Sequence, residues 1–192
     1  SCHADGGSNV VTIDTHNDGS TLTYKTVTPL WNLHDTAPWT WHGWQEDLRA
    51  AMHKSVTSTM MGDAPSEDDV DALLAYLKEV RPPVNPHRQR DGSLTAAALR
   101  GKAVFESAKA GCETCHSGPL FTDGEIHDVG LGRKSDKYQG YNTPSLIGVH
   151  NKLRLLHDGR AKSLHDLLTG PHSPQAVAGE GKLSDEELAE LA

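Results

Sequence analysis

Two thiols and an imidazole stand together in Cys112-Glu113-Thr114-Cys115-His116. The spacing has a chemical meaning. Two intervening residues let both sulfurs reach two vinyl groups on one edge of a porphyrin, and the following turn brings the imidazole under the iron. A cysteine pair at this spacing also suits a dithiol redox couple or half of a zinc site. Zinc would need a second C-x-x-C or another partner pair, and the sequence holds neither. The pentapeptide therefore reads as a c-type haem attachment site, with Cys112 and Cys115 as thioether cysteines and His116 as the proximal ligand. Such haem is attached outside the cytoplasm, which predicts the periplasm or the extracellular side of a bacterial membrane.

The third cysteine belongs to Ser1-Cys2-His3, the tail of the same motif. On that reading Cys2 is a thioether cysteine, His3 a second proximal ligand, and the first cysteine lies upstream of Ser1. The chain also stops inside an apparent helix, Ser184 to Ala192, so it reads as a segment of a longer polypeptide, and the lack of a signal peptide carries no information.

An internal duplication supports the second site. His3 matches His116, Thr28-Pro29 matches Thr143-Pro144, Trp41-His42-Gly43 matches His157-Asp158-Gly159, and Ser66-Glu67-Asp68-Asp69 matches Ser184-Asp185-Glu186-Glu187. The matches keep one order, and their spacing drifts in one direction, as loop insertions would give.

The elements that position these residues are legible in outline. Both Ser-x-x-acid stretches predict capping boxes. After the first, Val70, Leu73, Leu74, Leu77 and Val80 fall on one helical face, and Arg81-Pro82-Pro83 ends the helix. Residues 81–93 read as an interdomain linker. A further helix is expected from about Leu94 to Ala108, directly before the haem motif. Regions 4–27 and 117–161, rich in Gly, Asp, Thr and Pro, should be loops around haem. The expected fold is mainly α, with long loops, little strand and two tandem cytochrome c-like domains, 1–82 and 83–192, each with one haem c.

The bulk composition agrees. Of 192 residues only 36% are apolar and 5% aromatic, lean for a conventional core unless a macrocycle fills part of it. The formal charge is −8 and the basic residues form no block, which argues against nucleic acid and anionic membrane as partners. No apolar run approaches the roughly 20 residues of a bilayer span.

The sequence resembles the bacterial di-haem cytochrome c peroxidase/MauG family across nearly its whole length. The resemblance is most specific in Arg100-Gly101-Lys102-Ala103-Val104-Phe105, Gly111 to His116, Ser117-Gly118-Pro119-Leu120-Phe121-Thr122-Asp123, His127-Asp128-Val129-Gly130, Asn142-Thr143-Pro144-Ser145-Leu146 and His157-Asp158-Gly159-Arg160. It implies one peroxidatic and one electron-transferring haem, a tryptophan between them, and often a calcium ion at the domain interface. Trp41 falls on the inter-haem tryptophan, as an electron relay or as one of a porphyrin-packing cluster with Trp31, Trp39 and Trp44. Asn142 and Thr143 match the calcium loop, but the partner asparagine expected before Thr28-Pro29 is not evident.

The distal ligands decide reactivity, because two strong protein ligands favour electron transfer and an open iron admits peroxide. Where the family has Met or Tyr after the second haem, this chain has Leu167-Leu168-Thr169-Gly170-Pro171-His172. His172 is the available ligand, which predicts bis-His coordination with His116; the alternative is a loop histidine. His165 is expected on the helix surface. At the first haem, His16 lies where the family holds a displaceable histidine. Met60-Met61-Gly62 replaces Glu-Met-Gly, and the companion glutamine position reads Ala51, so both acid–base helpers are missing. His42 or His53 could take their place. Met60 or Met61 could instead bind iron, or pack in the core.

Two functions follow. One is an oxidoreductase that moves electrons between two haems by way of Trp41 and reduces hydrogen peroxide at the first. The other is a non-enzymatic electron-transfer subunit of a larger redox assembly. Either needs a redox partner protein.

Overall fold

The computed structural model describes residues 2–14, 20 and 22–192. The helix expectations hold where local chemistry is strongest. Helix α1 is Leu48–Lys54, capped by Asp47, and a π-turn continues it over Ser55–Thr59. Helix α2 is Glu67–Glu79, opened by a capping box in which Ser66 accepts from Asp69 N and Asp69 reaches back to Ser66 N. Its buried residues, Val70 and Leu77, lie on the predicted apolar face. Helix α3 is Ala96–Phe105, shorter than expected because Thr95 caps it and the chain leaves the helix after Glu106. Three short helices close the C-terminal half: α4 Leu164–Thr169, α5 Pro174–Val177 and α6 Asp185–Leu191. The second capping box, Ser184 with Glu187, opens α6.

The expectation of a mainly α chain needs correction. The structure is mixed, 35% helical and 8% strand, and most residues lie in loops and turns. Two antiparallel ribbons are present. Strand β1 (Thr12–Asp14) pairs with β2 (Tyr24–Thr26), and β3 (Ile126–His127) with β4 (Tyr141–Asn142). Gly, Asp, Thr and Pro favour turns over helix, so the segments that wrap the cavities contribute few helical residues.

Helix α3 packs on α6, and Gly101 permits the approach. A Cβ there would overlap the backbone carbonyl of Glu190. Arg100 pairs with Glu190 and Lys109 with Glu187 across the same contact. Gly101→Ala would ordinarily gain up to about 1 kcal/mol of helix propensity. Here it is expected to lose about 1–3 kcal/mol, because α6 must move to make room. Thermal unfolding of the variant gives the sign.

The two halves also meet directly, away from the 81–93 segment. Thr26 N donates to His157 O at 2.6 Å, Asn142 N to Trp41 O at 2.9 Å, and Lys137 N to Ser20 Oγ at 2.9 Å. At the centre of this contact Lys25 Nζ lies 3.0 Å from Asp136 Oδ1, with the two side chains only 4% and 2% exposed. No described helix is long and apolar enough to cross a membrane.

Candidate haem sites

Gly111 has a left-handed φ of 67°, and a Cβ there would strike Ala178. It opens the 3₁₀ turn Cys112–Thr114, and His116 N then donates to Cys112 O at 3.0 Å. This compact turn places both sulfurs and the imidazole on one wall of a cavity of about 220 Å³. Phe105, Val129, Leu146, Leu164 and Leu168 supply apolar lining, and His172 stands opposite. None of the cysteines is in a disulfide, and burial raises both the Cys112 and Cys115 thiols above the ordinary value.

His116 has the environment of a metal-binding imidazole. Its Nδ1 donates to Phe121 O at 3.2 Å, which leaves the Nε2 lone pair unused. Ligating histidines characteristically hold their other ring nitrogen to a carbonyl in this way. Burial lowers its pKa, against the opposing pull of the Phe121 and Pro144 carbonyls. His172 follows α4 and the turn at Gly170; its Nδ1 is buried without a hydrogen bond. Burial, then the neighbouring His116, lowers its pKa. The two rings are 6.4 Å apart between centres and nearly perpendicular, at 79°. Metal–imidazole bonds of about 2 Å put two rings that share one ion on opposite sides roughly 6 Å apart. The donor set, its neutral state and its spacing therefore fit a hexacoordinate haem iron. His165, on α4, is exposed.

The second cavity is larger, about 610 Å³, within the range of roughly 300–1,000 Å³ for ligand sites. Cys2 and His3 line it with Leu30, Leu48, Met52 and Leu77. Burial lowers the His3 pKa against the carbonyls of Thr28 and Gly7. The His3 Nδ1, unlike that of His116, is buried with no hydrogen-bond partner. One thiol and one imidazole on this wall, with an apolar lining, are the donors a second haem would use.

Trp41, His42 and Met60 line this cavity too; Met61 does not and is 86% exposed. Ala51, at the position of the missing glutamine, is buried in the wall. Among the described residues the lining holds no carboxylate. His53 faces Glu67 at 3.2 Å instead of the cavity. His16 lies outside the described residues.

Trp41 donates from Nε1 to Thr26 O at 2.8 Å and meets the His157 ring edge-on at 6.3 Å. These two residues hold the matched positions of Trp41-His42-Gly43 and His157-Asp158-Gly159 in the sequence. Lys152 Nζ sits 5.5 Å from the Trp41 ring centre, and burial lowers its pKa to about 8. Asn142 Oδ1 is buried with no hydrogen-bond partner. It is the kind of oxygen calcium takes, although the ion needs roughly six to eight of them. Cys115, Asp123 and His127 bring three donor atoms within 4.8 Å. A structural zinc ion takes about four ligands, and Cys115 is already committed in the haem reading.

Sequence reasoning missed the polar cluster between the cavities. Asp136 accepts from Lys25, from Arg133 N at 2.9 Å and from Tyr141 OH at 3.2 Å. Burial alone would raise its carboxyl, but these donors hold it below the ordinary range. Asp136, Lys25 and Tyr141 lie on turns and short ribbons, where no periodicity marks them. Only His157, singled out through its Asp-Gly neighbours, pointed to the place.

Burial also lowers the His157 pKa, to about 4, although Asp158 opposes the shift. The folded protein thus resists a proton that the unfolded chain takes up near 6.5. Stability should rise with pH between about 4 and 6.5 by up to roughly 3 kcal/mol from this group. Unfolding midpoints measured across that window should flatten in His157→Gln.

The thiols and imidazoles on the two cavity walls are the donors that c-type haem would use. Comparisons with known proteins agree. The chain is 27% identical over 164 residues to hydrazine synthase subunit gamma of Kuenenia stuttgartiensis, covering 64% of this chain and 46% of that protein. It is 32% identical over 75 residues to the cytochrome-c peroxidase IdrP2 of Denitromonas iodatirespirans, covering 34% of this chain and 20% of the relative. The chain thus spans half or less of the length of these relatives. Among solved structures, hydrazine synthase of Kuenenia stuttgartiensis shares the fold with a TM-score of 0.83 at 21% identity, covering 97% of this chain and 76% of that one. A MauG-like protein associated with microbial copper homeostasis aligns with a TM-score of 0.68 at 17% identity, covering 99% and 78%. No family model matches. These likenesses support a haem redox protein.

Proposed function

We propose that this chain is a di-haem electron-transfer unit of a larger periplasmic oxidoreductase, with one haem c in each half. The carrying observation is the His116–His172 pair, 6.4 Å apart across a cavity with both thiols on its wall. When bound, haem c supplies a one-electron iron couple. Cys112 and Cys115 would hold the macrocycle, and His116 and His172 would both be committed to its iron, which leaves no place there for a small molecule. Phe121 O fixes the proximal tautomer. In the N-terminal half Cys2 and His3 do the corresponding work, and Trp41 stands between the cavities as the relay. The likeness to a subunit of hydrazine synthase favours an assembled partner over a free-standing enzyme.

Peroxide reduction at the first haem is the competing reading. It gains from the likeness to cytochrome-c peroxidases. It loses from the positions of Met60 and Ala51, since removing a placed proton donor costs on the order of 10²–10⁴ in rate.

Spectra of the half-reduced holoprotein separate the two, recorded before and after adding hydrogen peroxide. Electron transfer predicts exchange of the single electron between two haems and no consumption of peroxide. Turnover of peroxide with a spectral change at the N-terminal haem contradicts it.

A further inference from the structure

The wall between the two cavities is made of stacked rings. Tyr141 is 7% exposed and lines the C-terminal cavity. Its ring lies between His42, at 4.7 Å and 28°, and His157, at 4.4 Å and 23°. His42 lines the N-terminal cavity, and so does Trp41, which touches the far side of His157. From Tyr141 the other cavity is therefore one ring away through His42, or two through His157 and Trp41.

A phenylalanine would fill this stack equally well, so the hydroxyl needs its own account. Asp136 is an ionised acceptor, and Tyr141 OH donates to its Oδ2 at 3.2 Å. The phenol oxygen then accepts from His157 Nε2–H, also at 3.2 Å. Lys25 balances the carboxylate from the other side, and His42 Nε2 lies 3.7 Å from the same carboxylate. His42 Nδ1 donates to Gly140 O at 2.7 Å, and its Nε2 has no hydrogen-bond partner. Burial, and then the charge of Asp136, make the phenol harder to ionise by proton loss alone.

We infer that Tyr141 is a proton-coupled relay residue between the two cavities, with Asp136 as its proton acceptor. The inference rests on the di-haem reading above. In the step, a metalloporphyrin oxidised beyond the ferric state in one cavity gains one electron and Tyr141 loses it. The phenolic O–H bond breaks, a new O–H bond forms on Asp136 Oδ2, and a neutral phenoxyl remains. A reduced metalloporphyrin in the other cavity then returns one electron, and Asp136 returns the proton. Lys25 stays charged throughout, so the site's charge changes only by the electron in transit. Trp41 has no carboxylate on its indole N–H, which goes to Thr26 O. The two residues thus offer different routes, one with proton exchange and one without.

The test uses the haem-loaded protein, a soluble photo-oxidant, and electron paramagnetic resonance of the trapped product. The wild type should give an organic radical whose hyperfine structure narrows when tyrosine is ring-deuterated. The signal should vanish in Tyr141→Phe and in Asp136→Asn, and persist in Tyr76→Phe, whose tyrosine is 68% exposed. The deuterated wild type needs no variant to fold. A radical that deuteration leaves unchanged, or one that survives Tyr141→Phe, overturns the relay. Optical records of electron exchange between the haems locate the failure. Exchange without a tyrosyl signal overturns the relay and leaves the di-haem reading intact, whereas no exchange overturns both.

Discussion

Replacing His172 with alanine is expected to convert one haem of the oxidised holoprotein from low spin to high spin and open its iron to exogenous ligands such as azide or cyanide. Among the described residues lining the C-terminal cavity, the His172 ring faces that of His116, and the 6.4 Å spacing leaves room for a single ion between them. The His172→Met variant sharpens the test. Methionine with histidine raises the potential relative to bis-His ligation, and axial ligands as a class tune haem potentials over a range of about 0.8 V. The variant should therefore show a methionine–iron charge-transfer band and a more positive potential at one haem, with the other unchanged. A spectrum that ignores both substitutions would assign His172 to the loop and leave the second iron with another ligand.

The largest loss of stability is expected from Asp136→Ala. The carboxylate is 2% exposed and serves Lys25 Nζ, Arg133 N and Tyr141 OH together. Removing it takes away the carboxylate 3.0 Å from a lysine side chain that is 4% exposed. Breaking one side of a buried pair costs about 3–5 kcal/mol, because the remaining charge keeps its desolvation penalty. That is a large part of the roughly 5–15 kcal/mol that holds a domain folded. The double variant Lys25→Met/Asp136→Leu should recover much of the loss, since apolar replacement of a whole buried pair is often close to neutral. Denaturation midpoints of the three proteins decide it. A single variant as stable as the wild type would mean that water reaches Lys25 and that the two halves are not joined by this contact.

The elements best read from the sequence are those with local causes. Ser66 and Ser184 each open a helix with a capping box, because hydroxyl and carboxylate three positions apart satisfy backbone groups with no help from the rest of the chain. The Cys112–His116 turn is equally local, since its chemistry lies in five consecutive residues. His172 was reached by way of a resemblance, and the structure sets it across the cavity from His116. Helix content was overread, because Gly-, Asp- and Pro-rich loops carry the walls of both cavities. The Lys25–Asp136–Tyr141 cluster was invisible, since 111 residues separate Lys25 from Asp136 and nothing in either neighbourhood requires the other. Such pairs arise only when the two halves dock. The duplication gave the halves without giving the face on which they meet.

The central claim is that each half carries its own haem. The most direct measurement is the number of covalently bound haems per polypeptide in the full-length protein, matured in a host that attaches haem c, by mass of the denatured chain. The account predicts two, one of which disappears in Cys112→Ser/Cys115→Ser while the other remains. A single haem in the unaltered protein, lost entirely in that variant, would contradict it.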